Sequence, residues 1–266
     1  MKVVRDYVDD EQRSLSYLVG CSVSRTAMLI DPFDADLLLE IAKDENFEVR
    51  LIVNTHAHVD LCRSSNLIKR RTGALICANY FARDTIVGVD IPLKDGQRID
   101  LGLESFEVLM NPGSTSSQLC LLSKRSEGSE PRKLFSGDFL FNGSVGDFQN
   151  CGGVDDLYKW ISETLILLED SITLYPCHDD LLKSVSFALD CDPMNESAQD
   201  LLDSLNLGYC GALAPDFFFL SCEKDINPFL RLQDDAIIGR VHALCGSVNP
   251  SPKEVFIALR SLRDRW

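Results

Sequence analysis

Short apolar runs and helical stripes alternate along the first two thirds of the chain. Residues 18–20 and 27–30 predict the two strands of a hairpin, and 34–42 a helix that starts from an aspartate cap. Residues 50–54 form a buried-strand run bounded by a histidine cluster. Further strands are expected at 74–77, 106–110, 118–122, 133–136 and 172–175. Between the last two, Leu157, Trp160, Ile161, Thr164, Leu165 and Leu168 recur at three- and four-residue spacing, the stripe of a helix over 154–168 packed on a sheet. The polar stretch 123–133 reads as a solvated loop.

After about residue 180 strand patterns fade, and helices are expected at 180–190, 195–205, 234–245 and 252–264. The last opens Ser251-Pro252-Lys253-Glu254, a capping box with proline at the first helical position, followed by the stripe Val255, Phe256, Leu259 and Leu262. The pattern therefore predicts an α/β body over residues 1–180 and a helical C-terminal part over 181–266.

Composition narrows the partners. Against 26 Lys and Arg stand 41 Asp and Glu, a formal net charge of −15 over 266 residues. That balance argues against a binder of nucleic-acid backbone and against docking on an anionic membrane face. No apolar run approaches the roughly 18 residues of a membrane span. The first ten residues are charged and carry no secretory core, so the expected location is cytoplasmic. The 10 cysteines contain no C-x-x-C pair and read as small buried hydrophobes in a reducing compartment.

Two of the 4 histidines stand in one hexapeptide, Thr55-His56-Ala57-His58-Val59-Asp60, directly after a predicted strand. Residues i and i+2 of an extended segment project to one side, so His56 and His58 can approach one ion, with Asp60 placed to join them. Imidazole plus carboxylate suits zinc, iron or manganese. Asp138 ends the run Phe135-Ser136-Gly137-Asp138, and His178 ends Leu174-Tyr175-Pro176-Cys177-His178. Taken singly, each has an ordinary alternative: a pair of surface histidines, a turn or capping aspartate, a core histidine. Polar groups gathered at three strand ends are what an α/β site requires. Cys62 and Cys177 flank this set, with packing as the simpler role for both.

In order, T-H-A-H-V-D, N-P-G-S-T, S-G-D and Y-P-C-H-D resemble the motifs of the metallo-β-lactamase superfamily. Residues 186–196, Asn-Pro-Phe-Leu-Arg at 227–231 and the closing residues to Trp266 resemble the glyoxalase II (hydroxyacylglutathione hydrolase) branch. The resemblance covers almost the whole chain. It implies a four-layer αβ/βα sandwich with a helical C-terminal subdomain, a one- or two-metal site, and hydrolysis of S-acyl-glutathione thioesters.

The departures are specific. Leu61 stands where the family has a histidine, and Ser114 replaces the histidine of P-G-H-T. The resemblance then leaves His56, His58 and Asp138 for a first ion and Asp60, Asp138 and His178 for a second, one imidazole short in each. Two imidazoles and a carboxylate still make a workable site, so the expectation is one zinc or iron ion at most, with a metal-free, charge-balanced pocket as the alternative. Arg231 is the one residue that matches a family glutathione contact, and its alternative is a cap or surface arginine. The run Asp147-Phe148-Gln149 resembles the single-iron persulfide dioxygenases of the same superfamily. Three functions follow: a metal-hydroxide hydrolase of a small thioester with Asp60 handling the proton, a catalytically silent relative acting as a binding or scaffold protein, and an iron oxygenase.

Overall fold

The computed structural model describes residues 1–110, 118–125, 130–146, 153–208, 218–246 and 249–266. Six strands form the first sheet in chain order: β1 (Lys2–Tyr7), β2 (Leu15–Cys21), β3 (Thr26–Ile30), β4 (Glu48–Asn54), β5 (Leu75–Asn79) and β6 (Ile91–Leu93). β1 to β3 are an antiparallel meander, whereas β3 to β6 run parallel. Parallel neighbours need crossovers, and helices α1 (Ala35–Asp44) and α2 (Val59–Thr72) supply two of them. Alternation along β2 assigns its two faces. Leu18 joins Leu38 and Ala42 of α1, Ile52 and Ile68 in one buried cluster, while Tyr17 packs edge-on against Phe135 at 5.6 Å and Tyr175 at 5.4 Å.

Those two rings belong to the second sheet. It contains β7 (Arg98–Leu101), β8 (Glu104–Met110), β9 (Leu119–Ser123) and β10 (Lys133–Gly137), an antiparallel series. A two-stranded ribbon, β11 (Leu140–Phe141) and β12 (Ser144–Val145), follows, and β13 (Thr173–Pro176) borders β10. Helices on a sheet, and that sheet on a second one, are layers of the sandwich that the motifs imply.

The contacts divide the chain into two compact units, and the division differs from a cut at residue 180. Residues 140–174 group with 180–266, although they precede the last strand-end motif in sequence. This second unit holds α3 (Val154–Glu163), α4 (Leu181–Cys191), α5 (Glu196–Gly208), α6 (Leu220–Ile226), α7 (Asp235–Cys245) and α8 (Pro252–Arg263). Phe229 stacks on Phe187 at 6.3 Å and meets Phe256 of α8 edge-on at 5.5 Å. The capping box of Ser251 and Glu254 forms as expected. The buried stripe of α8 continues through Arg260 and Arg263, however, while Leu262 is half-buried.

Three helices differ from expectation, of which α6 is simply not read from the pattern. The stripe at 154–168 is α3 only to Glu163, because Thr164 leaves helical geometry (φ −123°, ψ −63°) and a 3-10 turn at Leu165–Leu167 completes it. Helix α2 is absent from the pattern because its buried positions are Leu61, Ser65 and Ile68. A serine breaks the apolar period, and its hydroxyl is satisfied by donating to Asn54 Oδ1 at 2.7 Å. Among the described residues no helix is long and apolar enough to cross a membrane.

Within the second unit the ribbon turn is fastened by one buried carboxylate. Glu223 accepts from Gly143 N at 2.6 Å and from Asn227 Nδ2 at 2.7 Å, and burial raises its pKa from 4.5 to about 8. The folded state then holds a proton that the unfolded state releases between those values, so this contribution to stability is full below 4.5 and is lost as pH rises through 8. Glu223→Gln leaves one of the two donors without an acceptor, a cost of about 1–3 kcal/mol. In denaturation curves the variant is less stable than the parent at pH 5, and the gap closes and then reverses toward pH 9, because a shift of this size is worth more than the lost hydrogen bond. A gap that is independent of pH would show that Glu223 does not titrate in this window.

Candidate metal and active site

The site is assembled at the ends of β3, β4 and β10 and just beyond β13, all within the first unit. Asp31 follows β3 in the left-handed region (φ 46°), a conformation that short polar side chains tolerate. Its carboxylate turns back to accept from Thr55 N at 2.7 Å and from Thr55 Oγ1 at 2.6 Å. The carbonyl of Thr55 accepts from Leu119 N of β9 at 2.8 Å. Burial outweighs both hydrogen bonds and raises the Asp31 pKa to about 6.

His56 is buried beside this pair, with Nδ1 3.0 Å from Thr55 Oγ1. Because that hydroxyl donates to Asp31, its remaining lone pair accepts from Nδ1–H, a tautomer that leaves Nε2 basic. Burial, helped by His58, lowers the His56 pKa to about 4, so the ring is neutral, the state a metal requires. The His56 and His58 rings lie 6.3 Å apart. His58 caps α2 in extended geometry (φ −126°, ψ 142°), and its Nδ1 accepts from Asp60 N at 3.3 Å. Neutral His58 therefore carries its proton on Nε2, and an ion at Nδ1 would compete with a long cap bond. Asp60, in the first turn of α2, keeps 64% of its side chain exposed, with Oδ2 3.9 Å from His58 Nδ1.

Asp138 leaves β10 through Gly137 (φ 56°). His178 Nε2 lies 3.8 Å from Asp138 Oδ1. Two donors on one tetrahedral ion at about 2.0–2.2 Å each are about 3.5 Å apart, so this pair is close to ligating separation. Asp138, Cys177 and His178 are the one set of three donors among the described residues with all ligating atoms within 4.8 Å of one another. His56, His58 and Asp138, the first-ion set of the resemblance, are not mutually within that distance, nor are Asp60, Asp138 and His178. Phe33 spans the two halves, its ring centroid 6.0 Å from that of His58 and 6.4 Å from that of His178. Burial, reinforced by the charges of Asp138 and Asp31, pushes the Cys177 thiol well up.

Sequence reasoning missed Asp31, Phe33 and the clamping role of Thr55. The rule that found Asp138 and His178, a polar residue ending an apolar strand, applies equally to Asp31 after β3. Leu61 is fully buried on the inner stripe of α2. Cys62 and Ala57 are partly buried against Ala78, Ala82 and Ile86. Ser114, Asp147 to Gln149 and Cys151 lie outside the described residues. Arg231, in the second unit, donates from Nη2 to Asp192 and Asp234 at 2.7 Å each, so two carboxylates hold it. A polar cavity of about 260 Å³ in that unit, which sequence reasoning also missed, is lined by Lys183, Arg260 and Arg263 together with Asp180 and Asp264.

Residues 9–178 match the family model of the metallo-β-lactamase superfamily, and residues 180–266 match that of the hydroxyacylglutathione hydrolase C-terminus. A hydroxyacylglutathione hydrolase of Nitrosococcus oceani is 34% identical over 96% of this chain and 95% of its own length. Among solved structures, ETHE1 from Myxococcus xanthus superposes with a TM-score of 0.66 at 21% identity, covering 99% of this chain and 98% of that one. The di-iron-bound form of TTHA1623 gives 0.51 at 24% identity over 66% of this chain and 91% of its own. The fold is thus that of the metallo-β-lactamases. More narrowly, the chain belongs to the hydroxyacylglutathione hydrolase (glyoxalase II) type of that superfamily.

The Asp31 clamp is testable through its neighbour. A Cβ on Gly137 would lie 2.3 Å from Thr55 Oγ1. Gly137→Ala combines left-handed strain of about 1–2 kcal/mol with a displaced buried hydroxyl worth about 1–3 kcal/mol. Urea unfolding should show a loss of about 2–5 kcal/mol; a loss below about 1 kcal/mol would mean that Thr55 yields without cost.

Proposed function

We propose that the chain is a hydrolase of S-acyl-glutathione-type thioesters working with one zinc or iron ion. The ion would be held by His56, His58 and Asp138, with Asp60 and His178 completing the pocket. The observation that carries this reading is a neutral, oriented His56 at the same strand ends as the Asp138–His178 pair, whose Oδ1 and Nε2 lie 3.8 Å apart, close to ligating separation. The donors fit such an ion: neutral imidazoles and carboxylates suit zinc and ferrous iron. Bound there, the ion supplies Lewis acidity and a water whose pKa falls to about 7.

The chain's own groups do the rest. Thr55 and Asp31 fix the His56 ring, which limits reorganisation when charge develops. Asp60, exposed beside His58, orients the water or takes its proton as its oxygen adds to the acyl carbon and the thiolate leaves. Phe33 walls the pocket between His58 and His178 and keeps bulk water from that side. The relative from Nitrosococcus oceani is named for the same reaction class. In the second unit, Lys183, Arg260 and Arg263 on one polar cavity reverse the chain's overall −15 locally and suit a carboxylate ligand.

Elemental analysis and kinetics test the reading together. Protein from zinc- or iron-supplemented growth should carry close to one ion and turn over S-lactoylglutathione. His56→Ala should weaken ion retention and lower turnover at least about 100-fold, since even residues that merely orient a ligand cost 10–100-fold. Substoichiometric zinc and iron with no turnover overturns the reading. Oxygen uptake with glutathione persulfide, without thioester hydrolysis, would instead mark an iron oxygenase.

A further inference from the structure

Cys177 is buried beside the proposed ion and has no part in the chemistry above. Its Sγ lies within 4.8 Å of a carboxylate oxygen of Asp138 and a ring nitrogen of His178, and those two lie within the same distance of each other. The segment is held on both sides. Cys177 N donates to Gly137 O at 3.1 Å, Leu15 N donates to Cys177 O at 2.7 Å, and the Tyr17 hydroxyl donates to Pro176 O. Asp179 continues the fastening: its amide donates to Arg13 O at 3.0 Å, and its carboxylate accepts from Arg13 Nη2 at 3.0 Å. Five bonds to neighbouring strands and loops thus fix the backbone that presents sulfur and imidazole side by side, the preorganisation a ligand set needs.

We propose that Cys177 is a thiolate ligand of the ion, completing with Asp138 and His178 an aspartate–cysteine–histidine set that seats the single ion on the His178 side of Asp138 in place of the His56–His58 side. The proposal rests on the one-ion reading above and deepens it by naming a sulfur ligand. On coordination the S–H bond breaks, its proton passes to solvent, and the sulfur lone pair forms the bond to the metal, one proton released per ion. A thiolate changes which cation the pocket prefers. It favours zinc, and cobalt as a probe, over manganese or magnesium, which oxygen donors suit better. In the layout of the resemblance, Leu61 provides no donor to a second ion; Cys177 restores a third donor to the Asp138–His178 side from a different position in the chain.

Two measurements that do not depend on turnover decide this. Zinc X-ray absorption on the wild-type protein should require one sulfur scatterer at about 2.3 Å alongside nitrogen or oxygen at about 2.0–2.2 Å. The cobalt(II) form should show a sulfur-to-cobalt charge-transfer band in the near ultraviolet. Cys177→Ser should abolish that band and weaken cobalt binding at least about 100-fold, as removing a direct ligand must cost no less than removing its support. If the ion binds stoichiometrically with nitrogen and oxygen scatterers alone, or the band survives in Cys177→Ser, the Cys177 assignment is wrong while the one-ion reading stands. If wild-type protein binds none of zinc, cobalt and iron, both fail. Should Cys177→Ser not fold, the wild-type absorption spectrum decides alone.

Discussion

Thr55 is the residue on which the site depends, because its three polar atoms all reach across to other strands. Its amide and hydroxyl are spent on Asp31 at the end of β3, and its carbonyl accepts from Leu119 of β9 in the second sheet. A single residue therefore ties the last turn of β3, the exit of β4 and the start of β9 into one junction. Gly137 exists as glycine because that junction leaves no room for a Cβ. Every donor of the pocket leaves the fold within a few residues of this point: His56 from Thr55 itself, Asp138 from Gly137, His178 from the segment bonded to Gly137 O. Loosening the junction would shift all three together, so the geometry of the site is a property of the sheet ends and not of any loop.

The same junction sets the electrostatics. Asp31 has two donors, yet burial still raises its pKa to about 6, so the hydrogen bonds only partly offset the cost of holding its charge out of water. Asp138 adds a second carboxylate, and the Cys177 thiol is pushed up by burial first and by both carboxylates after it. His56 is neutral and cannot offset them. Such an arrangement favours a neighbouring cation, whether a protonated His178 or a metal, and this is the physical common ground of the metal-bound and charge-balanced pockets.

Much of this was legible in the sequence, for a physical reason. Strand-end donors announce themselves because an apolar run must stop where a polar group begins, and His56, His58, Asp138 and His178 all obey that rule. The C-terminal helices were legible because caps and stripes are local, as Ser251 and Glu254 show. What escaped depends on partners distant in sequence. Helix α2 hid behind Ser65, whose burial makes sense only once Asn54 is beside it. Arg231 matched a ligand contact by motif, but its ties to Asp192 and Asp234 arise from tertiary packing. The stripe read for α8 stops at apolar residues, whereas Arg260 and Arg263 are also buried, over the rings of Phe229 and Phe187.

Leu61 shows what the core face of α2 asks of a side chain beside the site. Its position faces inward with Ser65 and Ile68, and its side chain is fully buried, so leucine there is compatible with the core face of α2. An imidazole at the same place must find a hydrogen-bond or metal partner to offset its burial, whereas leucine gains from burial alone. A leucine at position 61 therefore makes no demand for a polar partner and adds to helix packing. His56 is different: its burial is tolerable because Thr55 satisfies Nδ1, and Thr55 is fixed by the sheets. The imidazole of His56 is thus held by hydrogen bonds that the sheet ends fix, whereas position 61, on the first turn of α2, is held by apolar packing alone.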